Sequence, residues 1–462
     1  MDLFRRRKRT PVTDMTSGNI VKQLVYFAIP LLLGNLLQQF YVAIDSIVAG
    51  NFVSEDALAA VGSSGPLVNV IVSFAMGLFA GAGVVVARYY GARDAKNLRK
   101  AIHTTLILAL VLGVILTFIG MAAAQTLLQV MRTPPDILPE STQFLQVYLS
   151  GLAGLCVYNA GASILNALGN SRLPLLFLIV SCFINVIGDL IFVLVFHWGV
   201  GGVAASTVIA EVVTSVMVLW ALHRDKERRL LVFKEVRFDF DMFKQIVNLG
   251  LPSAVQGTIV GFSNMLVQSY FNGLGTISVA AYSASQRIDV FAQLPVQTMA
   301  LAVATFVSQN LGAGQVKRAR AGIRVSVIIG IAVTVFISVL NMLWGKQLLR
   351  IFTSDPAVLA DGVMFLYIFS PFRFVLSGTQ ILPGALRGAG KPRFPTYASI
   401  FCFVVLRQIY LHIIAAWNYN LITVALCYPI PQTIAAGIIL IYYLRSNWSA
   451  KFEKPEDLPQ QA

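Results

Sequence analysis

The chain has 462 residues, 57% of them hydrophobic and only 12% charged, with a mean hydropathy of +0.73. Soluble domains carry about 25% charged residues, so the composition excludes an ordinary soluble protein and points to one built inside a bilayer. The net charge of +14 raises nucleic acid as a partner, but the positions of the charges decide against it.

Apolar stretches of about 20 residues predict twelve spans, at 24–49, 58–88, 98–124, 143–168, 173–196, 202–222, 246–271, 277–310, 322–344, 361–386, 395–417 and 421–444. With twelve spans, 29 of the 35 Lys and Arg fall on the side of the N-terminus. They include Arg5 to Arg9, Arg88 to Lys100, Arg224 to Lys244 and Lys317 to Arg324. Arg132, Lys346 and Arg350 fall in loops on the other side, and Arg287, Arg373 and Arg407 sit within spans. This is the positive-inside asymmetry, which places both termini in the cytoplasm and the protein in the inner (plasma) membrane. The basic N-terminus mimics a signal peptide, but no small-residue cleavage site follows a short apolar core, so it is expected to be retained.

The first span contains a carboxylate, Asp45. Gln38, Tyr41 and Asp45 are spaced by three and four and share a helix face, which Asn35 extends by a turn. An ionised carboxylate in hydrocarbon costs about 2.5–3.5 kcal/mol, so such groups face a bundle interior or a watery cavity. Asp45 is thus a candidate proton or cation site, the alternative being a structural bond to a neighbouring helix. In the fifth span Asn185 and Asp189 lie one turn apart. Two acids within about 4–6 Å would interact strongly enough to share a proton; an Asn–Asp pair joining helices is the structural alternative. Glu211 in the sixth span is a third acid, either functional or snorkelling to an interface.

The longest inward loop, 223–243, is rich in charge and reads as a solvated linker between an N-lobe (1–222) and a C-lobe (244–445), with a polar tail at 446–462. In the seventh span Gln256, Asn264 and Gln268 recur at multiples of four. Ser285, Asp289, Gln293 and Gln297 form a stripe in the eighth. The tenth holds Arg373, Ser377 and Gln380, and the eleventh Arg407. An Arg keeps its charge and needs a partner, and Asp289 could pair with Arg373 or Arg407 structurally.

The two lobes echo each other at an offset of about 221 residues. Ala28-Ile29-Pro30 recurs as Gly250-Leu251-Pro252. Gly91-Ala92, Lys96, Arg99 and Ile102 recur as Gly312-Ala313, Lys317, Arg320 and Ile323. Gly169, Arg172 and Pro174 match Gly390, Arg393 and Pro395. Each copy holds six spans, an even number, so the repeat is parallel, a plan used by secondary transporters. The acids do not recur: Asp45 matches about Val267, Asp189 matches Tyr410, and Asp289 matches about Val68. Different tasks for the two lobes are expected.

Enzyme chemistry is missing. No phosphate-cradling loop with Lys-Ser/Thr occurs. His103, His197, His223 and His412 are scattered, and Cys156, Cys182, Cys402 and Cys427 all fall within spans without metal or disulfide spacing. No cofactor is expected beyond H+ or Na+ as coupling ion.

The run Ile29-Pro30-Leu31-Leu32-Leu33-Gly34-Asn35-Leu36-Leu37-Gln38-Gln39 followed by Ile44-Asp45-Ser46 resembles the multidrug and toxic compound extrusion (MATE) transporters of the MOP flippase superfamily. Ala57-Leu58-Ala59-Ala60-Val61-Gly62, Gly91-Ala92 and Gly384-Ala385-Leu386-Arg387-Gly388-Ala389-Gly390 share that resemblance, which is closest to the branch named after DNA-damage-inducible protein F (DinF). It implies an all-α polytopic fold of twelve transmembrane helices in two six-helix bundles, arranged as a V. It also implies export of amphipathic drugs or metabolites in exchange for H+ or Na+, by a monomer in the lipid bilayer. The family's N-lobe carboxylates match Asp45 and Asp189, with Asn185 a turn before the latter. Family branches with acids in spans seven and ten bind a cation there; here Gln256, Asn264 and Arg373 occupy those slots, which favours H+ through the N-lobe. Val42 stands where Asn is common. Substrate contacts are expected from Gln38, Tyr41, Gln256, Asn264, Asp289, Gln293, Arg373 and Arg407. The alternative is a flippase for a lipid-linked saccharide, since that class shares the two-lobe plan.

Overall fold

The computed structural model describes residues 14–131, 133–225 and 229–452. Arg5 to Arg9, Arg132, Lys226, Arg228 and residues 453–462 lie outside that range. The described residues form helices joined by turns and loops, with no strand among them. In chain order the first seven helices are α1 (Ile20–Val48), α2 (Glu55–Gly91), α3 (Ala95–Val130), α4 (Leu138–Ser150), α5 (Leu152–Ala167), α6 (Arg172–Leu190) and α7 (Gly199–Arg224). They are followed by α8 (Phe240–Asn272), α9 (Thr276–Gly312), α10 (Val316–Leu349), α11 (Pro356–Phe369), α12 (Leu382–Gly388), α13 (Arg393–Ile400), α14 (Arg407–Trp417), α15 (Leu421–Ala425) and α16 (Pro429–Arg445). Among the described residues eleven helices are long and apolar enough to cross a membrane. The pair α4 and α5, bent by 47°, gives twelve when counted as one span.

The helix starts follow from local side chains. Ser54 accepts from the Ala57 N–H at 2.9 Å and caps α2, whose first turn carries Glu55 and Asp56, acids suited to the positive helix end. Asp94 does the same for α3 through the Asn97 N–H at 3.1 Å. Asn420 and Thr423 form a reciprocal capping box on α15, satisfying two donors that apolar surroundings would leave bare.

The repeat is visible in the backbone. The Asn170 N–H bonds the Leu165 carbonyl at 2.9 Å, and 221 residues on the Lys391 N–H bonds the Leu386 carbonyl at 2.8 Å. Between them Gly169 and Gly390 take left-handed φ of 85° and 84°, which ends a helix and which a side chain would strain. A second matched turn bonds Asp94 N–H to Tyr89 and Gln315 N–H to Asn310.

The described residues divide into two compact units. Unit 1 comprises Ile29–Leu251, and unit 2 comprises Met15–Ala28 with the chain from Pro252 onward. The boundaries fall within α1 and α8, beside Pro30 and Pro252, rather than in the 223–243 loop. Most described residues of that loop are exposed, but its two leucines are not. Leu230 and Leu231 are buried in the unit 1 core with Ile102, Leu222 and Ile246, because two adjacent leucines gain more from that core than from water. Asp239 fastens the loop further, bonding Lys100 Nζ at 2.7 Å while its own N–H donates to Thr104 at 3.1 Å. The start of the tail is likewise docked: Trp448 is buried and stacks on Tyr443 at 5.8 Å, and Arg320 donates to Ser449 at 2.7 Å.

Small residues let helices approach closely, as in membrane packing generally. In unit 1 a Cβ on Gly250 would meet the Leu78 carbonyl oxygen at 2.3 Å. In unit 2 Gly384 and Gly388 of α12 sit over the Ala300 and Ala304 carbonyls of α9, each leaving 2.5 Å for a Cβ.

Candidate functional site

Unit 1 brings together the three residues expected to handle the coupling ion. Asp45 on α1, Asn185 and Asp189 on α6 are all buried, Asp189 completely. The side chains of Asp189, Asn185 and Thr207 are close enough to interact electrostatically with the Asp45 carboxyl. On α7, Ser206 donates to Asp189 Oδ1, and Asn185 Nδ2 donates to Thr207 Oγ1 at 3.1 Å and Ser206 Oγ at 3.3 Å. Ser206 and Thr207 were not foreseen; the turn spacing of Thr207 from Glu211 was the available signal.

After these bonds, three buried acceptors have no donor: Asp45 Oδ1, Asp189 Oδ2 and Asn185 Oδ1. A buried unsatisfied oxygen costs about 1–3 kcal/mol, so a cluster of them around two carboxyls is suited to receive a proton or a small cation. Tyr41 is close enough to interact electrostatically with Asp45 and Glu211, and Gln38 is half-buried on the same helix. Glu211 is buried with neither carboxyl oxygen partnered. It lies against Gly151, at the elbow between α4 and α5.

Unit 2 arranges its polar residues in separate groups. Arg373, buried, lies 2.7 Å from Asp289. The contact has the distance of an ion pair, while the guanidinium hydrogens are misdirected for a hydrogen bond. Gln293 donates to the other Asp289 oxygen. Arg407 is not part of this group: its Nη1 donates to Asn264 Oδ1 at 2.7 Å. Gln256 accepts from Thr396 at 3.3 Å, apart from both. Of the two Asp289 pairings left open by the sequence, the fold takes the one with Arg373.

The charged side chains share a backbone feature. A π-helical turn follows Asp45 at Ala49–Val53, follows Asp189 at Ile191–Val195, follows Arg373 at Ser377–Ile381 and precedes Arg407 at Phe401–Leu406. Such turns widen a helix by one residue and concentrate at functional sites.

Comparison with known proteins matches the MatE family model to residues 30–191 and 252–413, two segments in the two sequence repeats. A probable multidrug resistance protein of Bacillus subtilis, YpnP, is 29% identical over 87% of this chain and 90% of its own length. The multidrug export protein MepA of Staphylococcus saprophyticus is 21% identical over 93% and 95%. Among solved structures, an outward-facing multidrug resistance MATE transporter of the MOP superfamily superposes with a TM-score of 0.87 at 24% identity, covering 95% of this chain and 98% of that one. A MATE structure described as the bent conformation gives 0.88 at 23% identity over 94% and 97%. These superpositions share the two-lobe, all-helical fold.

Proposed function

Because this chain belongs to the MatE family of multidrug efflux transporters, a family of transporters and not of enzymes, we propose that it is an H+-coupled antiporter exporting amphipathic compounds across the inner membrane. It is a multi-pass membrane protein; in this reading it works as a monomer with both termini in the cytoplasm. Its place in the DinF-like branch belongs to the same proposal, supported by the resemblance of its motifs, with Gln256, Asn264 and Arg373 in the polar slots where other branches carry acids.

The observation that carries the reading is the set of donor-less oxygens on Asp45, Asp189 and Asn185. A proton bridging the two carboxyls supplies a missing donor, and its departure leaves two like charges in a buried site. The two protonation states therefore favour different arrangements of α1 against α6 and α7, and each entering proton biases that balance. One charge moved inward is worth about 2.3 kcal/mol per 100 mV, enough alone for roughly fiftyfold accumulation of an uncharged compound, whereas a monovalent cation exchanged for one proton is driven by the pH gradient. Gln38 and Tyr41, on the Asp45 face, are placed to contact the exported compound, with Gln256, Asn264, Asp289, Gln293, Arg373 and Arg407 as candidates in unit 2. The flippase alternative is not favoured: the relatives are named as multidrug proteins, and Arg373 is occupied by Asp289.

The test is uptake of a fluorescent cationic dye by proteoliposomes. A pH gradient is expected to drive it, and a Na+ gradient at equal pH is not. Asp45→Asn should abolish the pH-driven flux. Flux driven by Na+ alone, or full flux in folded Asp45→Asn, overturns the coupling proposal.

A further inference from the structure

Arg407 is a permanent positive charge inside a spanning segment, and no carboxylate lies within ion-pair distance of it among the described residues. It is 5% exposed. Its partners are the Asn264 carbonyl at 2.7 Å, the Tyr428 ring at 4.8 Å and the Phe403 ring at 5.6 Å; its Nε has none. Two ring faces and one amide oxygen carry no full negative charge, and with Nε bare they leave part of the guanidinium charge uncompensated. Arg373 shows the compensated case, with Asp289 at 2.7 Å. The other acids near that part of the fold are committed elsewhere: Asp361 accepts from Ser278, and Asp355 caps α11.

The surroundings supply further donors. Tyr282 and Tyr428 share a hydrogen bond of 2.6 Å, and Gln286 donates to both hydroxyls, at 2.7 and 3.3 Å. Only one hydroxyl hydrogen is used within the pair, so the other is free to donate. Asn264 is exposed, giving access to the guanidinium from its side. We propose that Arg407, with Asn264 and the Tyr282–Tyr428 pair, is an anion-recognition site in unit 2, and that the exported compounds include amphiphiles bearing a carboxylate, sulfonate or phosphate. The planar guanidinium fork matches such groups, and the Phe403 and Tyr428 rings suit the apolar remainder. This assignment rests on the efflux reading above and names the class of substrate.

The test uses three probes sharing one fluorophore: 1-pyrenesulfonate, the neutral pyrenemethanol, and a pyrenylmethyl-trimethylammonium cation. Equilibrium binding to the full chain in nanodiscs of zwitterionic lipid is read by fluorescence. The sulfonate is expected to bind at least about tenfold tighter than the alcohol, and Arg407→Gln should remove that preference while leaving the cation unaffected. Should Arg407→Gln fail to fold, Asn264→Asp decides. It places a carboxylate where the amide oxygen now meets Arg407 with almost no change of shape, and is expected to lower sulfonate affinity by a similar factor. Equal binding of sulfonate and alcohol by the wild type, or undiminished sulfonate binding by folded Asn264→Asp, overturns the proposal. Binding is measured without a gradient, so a failure of pH-driven transport would strike the efflux reading and leave the head-group preference standing.

Discussion

The two units repeat one backbone and carry opposite buried charge. Unit 1 holds Asp45, Asp189 and Glu211 with bare oxygens, whereas unit 2 holds Arg373 and Arg407 with a single paired acid, Asp289. The turns that end α5 and α12 agree to within a degree of φ, yet none of these buried charges recurs at the repeat offset. Chain reversal and helix capping depend on local residues, so a duplicated gene keeps both copies of them. A buried charge answers to its function and to the few side chains around it, so the copies can part. An acidic bundle receives protons; a basic one receives anions. The physical contrast is between an acid that needs a proton and an arginine that can never give one up.

The sharpest way to break that contrast is to remove an acid from each unit. Asp289→Asn strands Arg373 in the interior, and losing one member of a buried pair costs about 3–5 kcal/mol. Its thermal unfolding midpoint should fall steeply, and Asp289→Leu combined with Arg373→Met should recover most of the loss, because the pair is removed as a unit. Asp45→Asn should lower the midpoint far less, since it replaces a carboxyl with a bare buried oxygen by a neutral amide. If both asparagine variants lose stability alike, Asp45 is a structural acid and the contrast between the units collapses.

A smaller effect tests packing. Gly250→Val drives a side chain into the Leu78 carbonyl, where even a Cβ has only 2.3 Å, and overpacking of this kind costs about 1–3 kcal/mol. Unfolding in denaturant should show the loss, while Gly437→Ala in unit 2, where a Cβ meets nothing within 4 Å, should be close to neutral. Smaller again is the matched pair Arg93 and Gly314, which occupy the same turn with φ of 56° and 73°. A side chain in that region costs about 1 kcal/mol. Arg93→Gly is therefore expected to stabilise unit 1 slightly, and Gly314→Ala to destabilise unit 2 by a similar amount.

How far the sequence could be read follows the same division. Spans were legible because hydrocarbon forces some 20 apolar residues in a row, and the repeat in part because Gly169 and Gly390 sit where φ is positive. The meeting of Asp45 with Asp189 was inferable from two acids buried in one lobe. Their partners Ser206 and Thr207 were not, since hydroxyls in membrane helices are common and silent until the facing helix is known. Spacing on α9 left Asp289 free to choose between two arginines, and only the fold assigns it to Arg373. The bend between α4 and α5 and the four π-helical turns carry no pattern of their own, because neither changes the apolar run that announces a span. Within the charged, largely exposed loop, the anchoring role of Leu230 and Leu231 was outweighed by the charges around them.

That loop gives the mildest test, at a place where the units differ by one residue. Lys100 bonds Asp239 at 2.7 Å, and its repeat counterpart is Ala321, which offers no such donor. The hydrogen bond from Lys100 is the main reason the Asp239 carboxyl is held below its ordinary range, helped by the backbone N–H groups of Met242 and Asp241. A carboxyl lowered on folding contributes stability above its unfolded value of about 3.9, and that contribution disappears as pH falls through the lower folded value. Asp239→Asn should therefore lower the unfolding midpoint slightly at pH 7 and not at all once the pH is below the folded value. Lys100→Met should give the same loss at pH 7, and the double variant no more than either alone. Protease cutting within 223–243 should rise in step with the loss. An unchanged cutting rate in both single variants would mean that Leu230 and Leu231 hold the loop unaided, and that the ion pair is a bystander on a strap fixed by its apolar side chains.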